Sequence, residues 1–69
     1  MTYTFDEFNR MQYLLGKSKH NPLTFPEQNE LRTLIAKENP YAQNSSLDDL
    51  IKLGLVLVGL YILSKALSK

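Results

Sequence analysis

The side chains able to do chemistry are few in this chain, and their spacing matches no catalytic or metal-binding arrangement. There is no cysteine and one histidine, so the chain can form neither a disulfide nor a thiolate metal site. His20 has no second imidazole to share a metal and no nucleophile placed for it to activate. The sequence therefore predicts a protein that is not an enzyme and that needs no cofactor.

Two short patterns resemble binding sites but are explained by helix ends. Gly16-Lys17-Ser18 looks like the end of a phosphate-binding loop, yet Met11 replaces the upstream glycine of that motif and no strand is predicted before it. Asp48 and Asp49 are adjacent acids, and neighbouring residues on a helix point about 100° apart, so they do not share one site. We interpret Gly16 as a helix cap and the two aspartates as favourable charges at a helix N-terminus.

The charges are few and balanced, which argues against a specific nucleic-acid partner. The net charge is +1, and residues 1–46 hold as many basic as acidic side chains. Lys17, Lys19 and His20 form a small basic cluster. This cluster could touch anionic lipid headgroups, or it could be a solvated loop.

Three helix starts share one capping chemistry. Thr4 with Glu7, and Thr24 with Glu27, have the spacing of a capping box. In that motif the threonine hydroxyl accepts a hydrogen bond from the backbone N–H of the glutamate, and the glutamate carboxylate accepts one from the threonine N–H. Ser46 precedes the third helix and can cap it in the same way.

The predicted helix ends complete an all-α fold. Gly16 suits the left-handed residue that often follows a helix, and Asn39-Pro40 ends the second helix because proline disfavours helical geometry in the residue before it. The predicted helices span residues of about 5–15, 25–38 and 47–67.

The first two helices carry narrow apolar stripes. Six side chains at helical spacing form these stripes: Phe5, Phe8, Met11, Leu31, Leu34 and Ile35. This is too little apolar surface for two helices to fold by themselves, so the third helix or another protein must contribute. We expect the six side chains to dock on a larger protein assembly.

The C-terminal third is the most apolar part of the chain. Leu53–Leu63 has no charge, but its eleven residues make a helix only roughly 16 Å long, about half of a hydrocarbon core. The wider window Leu50–Leu67 is roughly 27 Å long and is interrupted by Lys52, Ser64 and Lys65. Both lysines lie near its ends, where their long stems can reach the headgroups. The predicted interfacial anchors are Lys52, Tyr61 and Lys65.

This segment is apolar around its whole circumference, whereas a helix packed on one small hairpin would keep a polar face. The predicted span comprises Leu50, Leu53, Leu55, Val56, Leu57, Val58, Leu60, Ile62 and Leu63. The 46 residues before the segment are too few to cover all of these side chains, so the helix meets lipid or is engulfed by an oligomer. We expect lipid. The predicted organisation is a short helical hairpin head (1–40), a linker (41–46) and a single transmembrane helix with a basic tail (47–69).

The charges beside the span predict its orientation. Lys65 and Lys69 follow the span with no acid near them, whereas Asp48 and Asp49 offset Lys52 before it. Because positive flanks stay on the interior side of a membrane, the C-terminus is expected to face that side.

The layout of a polar helical head, a capped span and a lysine-tipped tail resembles the small single-span structural proteins of large membrane complexes and of bacteriophages with an internal membrane. The resemblance covers the whole chain. It implies a minor virion protein in the inner membrane, where a membrane helix tethers the protein shell to the lipid.

The expected function is therefore that of a non-enzymatic, membrane-anchored structural or assembly protein. One alternative is a holin-like membrane-active effector, which would require the span to self-associate. A second alternative is a soluble helical subunit whose C-terminal helix is buried in an oligomer.

Overall fold

The computed structural model describes residues 3–67, which fold entirely into helices and connecting turns. Helix α1 is Phe5–Ser18, α2 is Phe25–Ala36, a 3-10 helix covers Pro40–Asn44, and α3 is Leu47–Leu67. This confirms the predicted all-α fold, with an apolar C-terminal helix after a helical hairpin. The first two residues of the predicted head, and Lys69 of the predicted basic tail, lie outside the described residues.

Both predicted capping boxes are present. The Thr4 hydroxyl accepts from the N–H of Glu7 at 3.1 Å, and the Glu7 carboxylate accepts from the Thr4 N–H at 3.0 Å. Thr24 and Glu27 repeat this pair of bonds at 3.3 and 2.9 Å. These bonds satisfy backbone N–H groups that have no partner within the helix, so each helix begins where the sequence predicts.

The predicted end of the first helix is wrong. Gly16 does not adopt a left-handed conformation, and α1 continues through it to Ser18. Two side chains stabilise the extra turn, because Lys17 forms an ion pair with Glu27 at 2.6 Å and the Ser18 hydroxyl donates to the Leu15 carbonyl at 2.7 Å. These contacts offset the cost of about 1 kcal/mol for a glycine inside a helix.

The region between α2 and α3 also differs from the predicted linker. Helix α2 ends at Ala36 rather than at residue 38, and Pro40–Asn44 forms a 3-10 helix instead of an irregular linker. The Asn39 side chain starts that short helix by accepting from the N–H of Tyr41 at 3.1 Å. Proline fits here because the first turn of a helix leaves its N–H groups without partners.

All three α-helices contribute to one small core. Its buried side chains are Tyr3, Phe8, Met11, Leu14, Leu15, Leu23, Leu31, Leu34, Ile35, Ala42 and Leu50. The hairpin of α1 and α2 supplies most of them, and α3 closes the cluster with Leu50 and a row of half-buried residues. The third helix is therefore the element that supplies the apolar surface missing from the first two.

Two ion pairs join α1 to α2. Arg10 contacts Glu30 at 2.6 Å, and Lys17 contacts Glu27 at the same distance. The Lys17 ammonium and the Thr24 backbone N–H lower the pKa of Glu27 to about 2. Hydrogen bonding to Glu30 raises the pKa of Arg10, so the ion pairs favour the charged forms of Glu27 and Arg10.

Two further hydrogen-bonding side chains hold the connecting segments in place. The buried Tyr3 hydroxyl donates to the Leu34 carbonyl, and burial raises the pKa of this phenol to about 12. The Arg32 guanidinium donates to the carbonyls of Ala42 and Ser45 at 2.6 and 2.7 Å. Arg32 thereby attaches the 3-10 helix to α2.

The lowered pKa of Glu27 predicts a loss of stability in acid. Because the folded-state pKa is about 2 and the ordinary value is 4.5, ionised Glu27 stabilises the fold above about pH 4.5, and this stabilisation disappears as the pH falls towards 2. We expect the melting temperature, followed by circular dichroism, to fall over this range. The Glu27→Gln variant should melt at a lower temperature at pH 7 and show a shallower decline. Parallel curves for the two proteins would contradict the assignment.

Candidate membrane-interaction surface

Helix α3 has two different apolar faces, one packed on the hairpin and one open. The face towards the hairpin, called here the inner face, consists of Leu47, Leu50, Ile51, Gly54, Leu57, Val58 and Tyr61. The opposite side, called here the outer face, exposes Leu55, Val56, Leu60, Ile62, Leu63 and Leu67. Both faces are apolar, so the hairpin covers one side of α3 and leaves the other uncovered.

The inner face depends on a close approach at Gly54. A Cβ atom placed on Gly54 would lie 2.9 Å from both Ile35 Cδ1 and Leu15 Cδ2, closer than van der Waals contact allows. Seven residues further along α3, the Tyr61 ring stacks on Phe8 with 4.1 Å between the ring centroids. Since α1 runs from Phe8 to Leu15 while α3 runs from Gly54 to Tyr61, the two helices are antiparallel.

The length and the exposure of α3 match those of a helix that crosses a membrane. Helix α3 has 21 residues and is about 31 Å long, close to the ~30 Å thickness of a hydrocarbon core. Only 11% of its most apolar 18-residue window is buried within the fold. By length and composition α3 is therefore able to cross a membrane.

The predicted span residues divide between the two faces. Five of the nine lie exposed on the outer face, namely Leu55, Val56, Leu60, Ile62 and Leu63. Leu53, Leu57 and Val58 are partly buried, and Leu50 is fully buried in the core. The span residues thus lie on all sides of α3, as predicted, and the hairpin packs against one of those sides.

The predicted interfacial anchors have different environments. Lys52 is exposed near the start of α3, beside the exposed ring of Tyr41. Tyr61 is half-buried against Phe8, with the Lys65 ammonium 5.5 Å from the centroid of its ring. In this fold Tyr61 is a packing residue of the inner face, because the stacked Phe8 ring covers one side of it.

The predicted docking residues are mostly unavailable to a partner in this fold. Phe8, Met11, Leu31, Leu34 and Ile35 are buried in the chain's own core, and only Phe5 remains open, with 74% of its surface exposed. The helical spacing of the stripes was correct, but five of the six side chains pack in the chain's own core. In this fold Phe5 alone of the predicted docking set is open to another protein.

Other aromatic side chains lie on the surface of the head instead. Tyr13, Phe25 and Tyr41 are exposed, and the sequence reasoning did not identify them as a possible contact surface. Phe25 follows the capping residue Thr24, as Phe5 follows Thr4, so both rings lie in the first turn of a helix. This repeated position after a capping threonine is the feature of the sequence that could have identified the two phenylalanine rings as exposed.

The basic cluster, the Ser46 cap and the glycines of α3 lie in different environments. Lys17 is paired with Glu27, which leaves Lys19 and His20 as the exposed part of the basic cluster. Ser46 accepts from the N–H of Asp49 at 3.2 Å, as the capping interpretation requires. Gly59 has no atom within 4 Å of an added Cβ and is exposed, so it and Gly54 lie in different environments on α3.

Comparisons with known proteins add no further assignment. No protein-family model, curated protein or solved structure matches this chain.

The different burial of two phenylalanines on α1 gives a test of the inner-face contact. Phe8→Ala removes a buried ring that stacks on Tyr61, so we expect the free energy of unfolding to fall by about 3–5 kcal/mol. Phe5→Ala removes an exposed ring from the same helix and should change it by less than about 0.5 kcal/mol. Urea denaturation in lipid-free buffer measures both values. Equal effects would contradict the packing of Phe8 beneath α3.

Proposed function

We propose that this protein is a non-enzymatic, membrane-anchored structural or assembly protein and that α3 is its anchor. The observation that carries this proposal is the outer face, an uncovered apolar surface on a helix as long as a hydrocarbon core is thick. Exposed apolar patches of this kind mark sites that contact a membrane or another protein. The head would remain in water and contact the rest of an assembly.

The distribution of charges along α3 supports lipid as the main contact. Asp48, Asp49 and Lys52 lie in its first two turns, and Lys65 lies in its last turn. The residues between the two lysines carry no charge. Charged side chains therefore fall at positions that would reach the two headgroup layers, and none falls at the middle of the span.

In its most specific form the proposal follows the resemblance in layout. The protein would be a minor virion component that tethers a protein shell to an internal membrane, with its C-terminus on the interior side. Exposed Phe25 on the head and Tyr41 on the linker are two of the aromatic side chains available to contact a larger protein assembly. Rings at such positions often dominate binding energy at interfaces.

Flotation with lipid vesicles tests the anchor by placing an arginine at either of two positions of nearly equal exposure. Leu60→Arg places a charge at the middle of α3, which costs about 2.5–3.5 kcal/mol in a span and should lower partition into vesicles about 100-fold. Tyr13→Arg adds the same charge to the head, at a side chain with 54% exposure against 52% for Leu60. We expect this control to float with lipid vesicles as the unaltered chain does.

The same flotation assay has a clear contrary outcome. If the unaltered chain stays at the bottom of the gradient with vesicles of neutral and of anionic lipid, α3 is not a membrane anchor. Equal loss of flotation for Leu60→Arg and Tyr13→Arg would also contradict the proposal, since insertion of α3 should be sensitive only to the first change.

A second function is supported by the contact between the hairpin and α3. In a soluble helical subunit the hairpin would cover the inner face of α3, as it does here, and further copies of the chain would cover the outer face. Native mass spectrometry without detergent distinguishes the two functions. A defined multimer in detergent-free buffer, together with no flotation, would favour the soluble oligomer over the anchor.

A further inference from the structure

We propose that the hairpin is a releasable cover on α3, so that the closed fold described above and a membrane-spanning α3 are two alternative states. This inference rests on the proposed function, because it concerns how the anchor becomes available. In the closed state the hairpin occupies the inner face. In the open state lipid takes its place around the whole circumference of α3.

The position of the contact along α3 makes the two states incompatible. Spanning a hydrocarbon core of ~30 Å requires nearly all of the 21 residues of α3. The contact with α3 includes Leu50, which is buried in the core, and continues through Gly54 to Tyr61. Gly54 lies about 10 Å from the start of the helix and Tyr61 about 9 Å from its end, so the contact includes the middle of the span.

A spanning α3 that kept the hairpin would carry charged groups into the hydrocarbon. Glu7 and Arg10 lie on α1 within two residues of Phe8, whose ring stacks on Tyr61. Glu7 is paired with Lys37 and Arg10 with Glu30, and the Arg10–Glu30 pair is substantially exposed on the hairpin surface. Placing these exposed charges at the middle of a bilayer is strongly unfavourable. Insertion therefore requires separation of the hairpin from α3.

Ion pairs join α1 to α2, whereas the contact of the hairpin with α3 is apolar. The ion pairs Arg10–Glu30 and Lys17–Glu27 add to the apolar packing between α1 and α2. The contact with α3 is made by apolar groups, as at Gly54 and Tyr61. Lipid tails replace apolar contacts readily, whereas they cannot replace ion pairs. A bilayer thus competes for α3 while the ion pairs between α1 and α2 remain.

The segment that connects the hairpin to α3 allows the two to separate. Arg32 holds the carbonyls of Ala42 and Ser45, so the 3-10 helix stays with α2. Ser45 itself is extended, and α3 begins two residues later at Leu47. Rotation about the N–Cα bond of Ser46 can therefore swing α3 away without moving the Ser45 carbonyl that Arg32 holds. Release also uncovers the apolar side chains of the hairpin, including Met11 and Ile35, which the sequence assigned to partner docking.

A matched pair of glycine substitutions tests the cover. Gly54→Leu would collide with Leu15 and Ile35 and should push the hairpin off α3, whereas Gly59→Leu adds the same side chain to the same helix in open space. Relative to Gly59→Leu, we expect Gly54→Leu to increase the ratio of inserted to free chain about tenfold. Insertion is measured as the fraction that stays with vesicles after alkaline carbonate extraction. Equal fractions for the two variants would overturn the proposal.

A reversible crosslink tests the same point from the opposite direction. The chain has no cysteine, so Leu15→Cys with Gly54→Cys introduces a single pair where α1 meets the backbone of α3. Leu15→Cys also removes the Cδ atoms that a Cβ on Gly54 would otherwise meet. We expect the oxidised pair to form in lipid-free buffer and the crosslinked chain to be removed from vesicles by carbonate. After reduction the same protein should resist extraction. Failure of the pair to form on oxidation would contradict the closed state.

The outcomes separate this inference from the proposed function. If the crosslinked and reduced chains resist carbonate equally, the hairpin is not a cover, and the anchor proposal stands. If the unaltered chain and the reduced pair both fail to associate with vesicles, the anchor proposal falls and this inference falls with it. Circular dichroism serves as the control: an unchanged helical content of the crosslinked chain shows that the disulfide has formed within the native fold.

Discussion

The close approach of the hairpin to Gly54 is the contact on which the rest of this structure depends. Without a side chain at this position, Leu15 and Ile35 can reach the backbone of α3, and the two short helices acquire the apolar partner that they lack by themselves. The same contact determines which side of α3 is hidden and which side is left exposed. The core and the outer face are therefore two consequences of one packing arrangement.

The outer face is the largest apolar surface that the fold leaves open. A 69-residue chain has little apolar surface to bury, and here much of that surface stays on one side of α3. Exposed apolar surface of this kind is typical of sites that contact a membrane or another protein. The structure thus joins a head with ion pairs and a small core to a helix with one open apolar side.

Local features were the ones that the sequence predicted well. The two capping boxes and the start of α3 at Ser46 depend on residues three positions apart, so nearby side chains are enough to specify them. The end of α1 was predicted wrongly because a distant residue decides it. Glu27 on α2 pairs with Lys17 and stabilises a turn that Gly16 alone would be expected to end.

The sequence by itself determined three helices, their starts, and an apolar C-terminal segment too large for the head to cover. Those properties follow from local capping and from the number and spacing of apolar residues. Only the tertiary structure decided that the stripes containing Met11 and Ile35 pack in the chain's own core, rather than on another protein, and that Tyr61 stacks on Phe8. The reason is that periodicity shows which side of a helix will be buried, whereas the identity of the element that buries it depends on contacts between residues far apart in the chain.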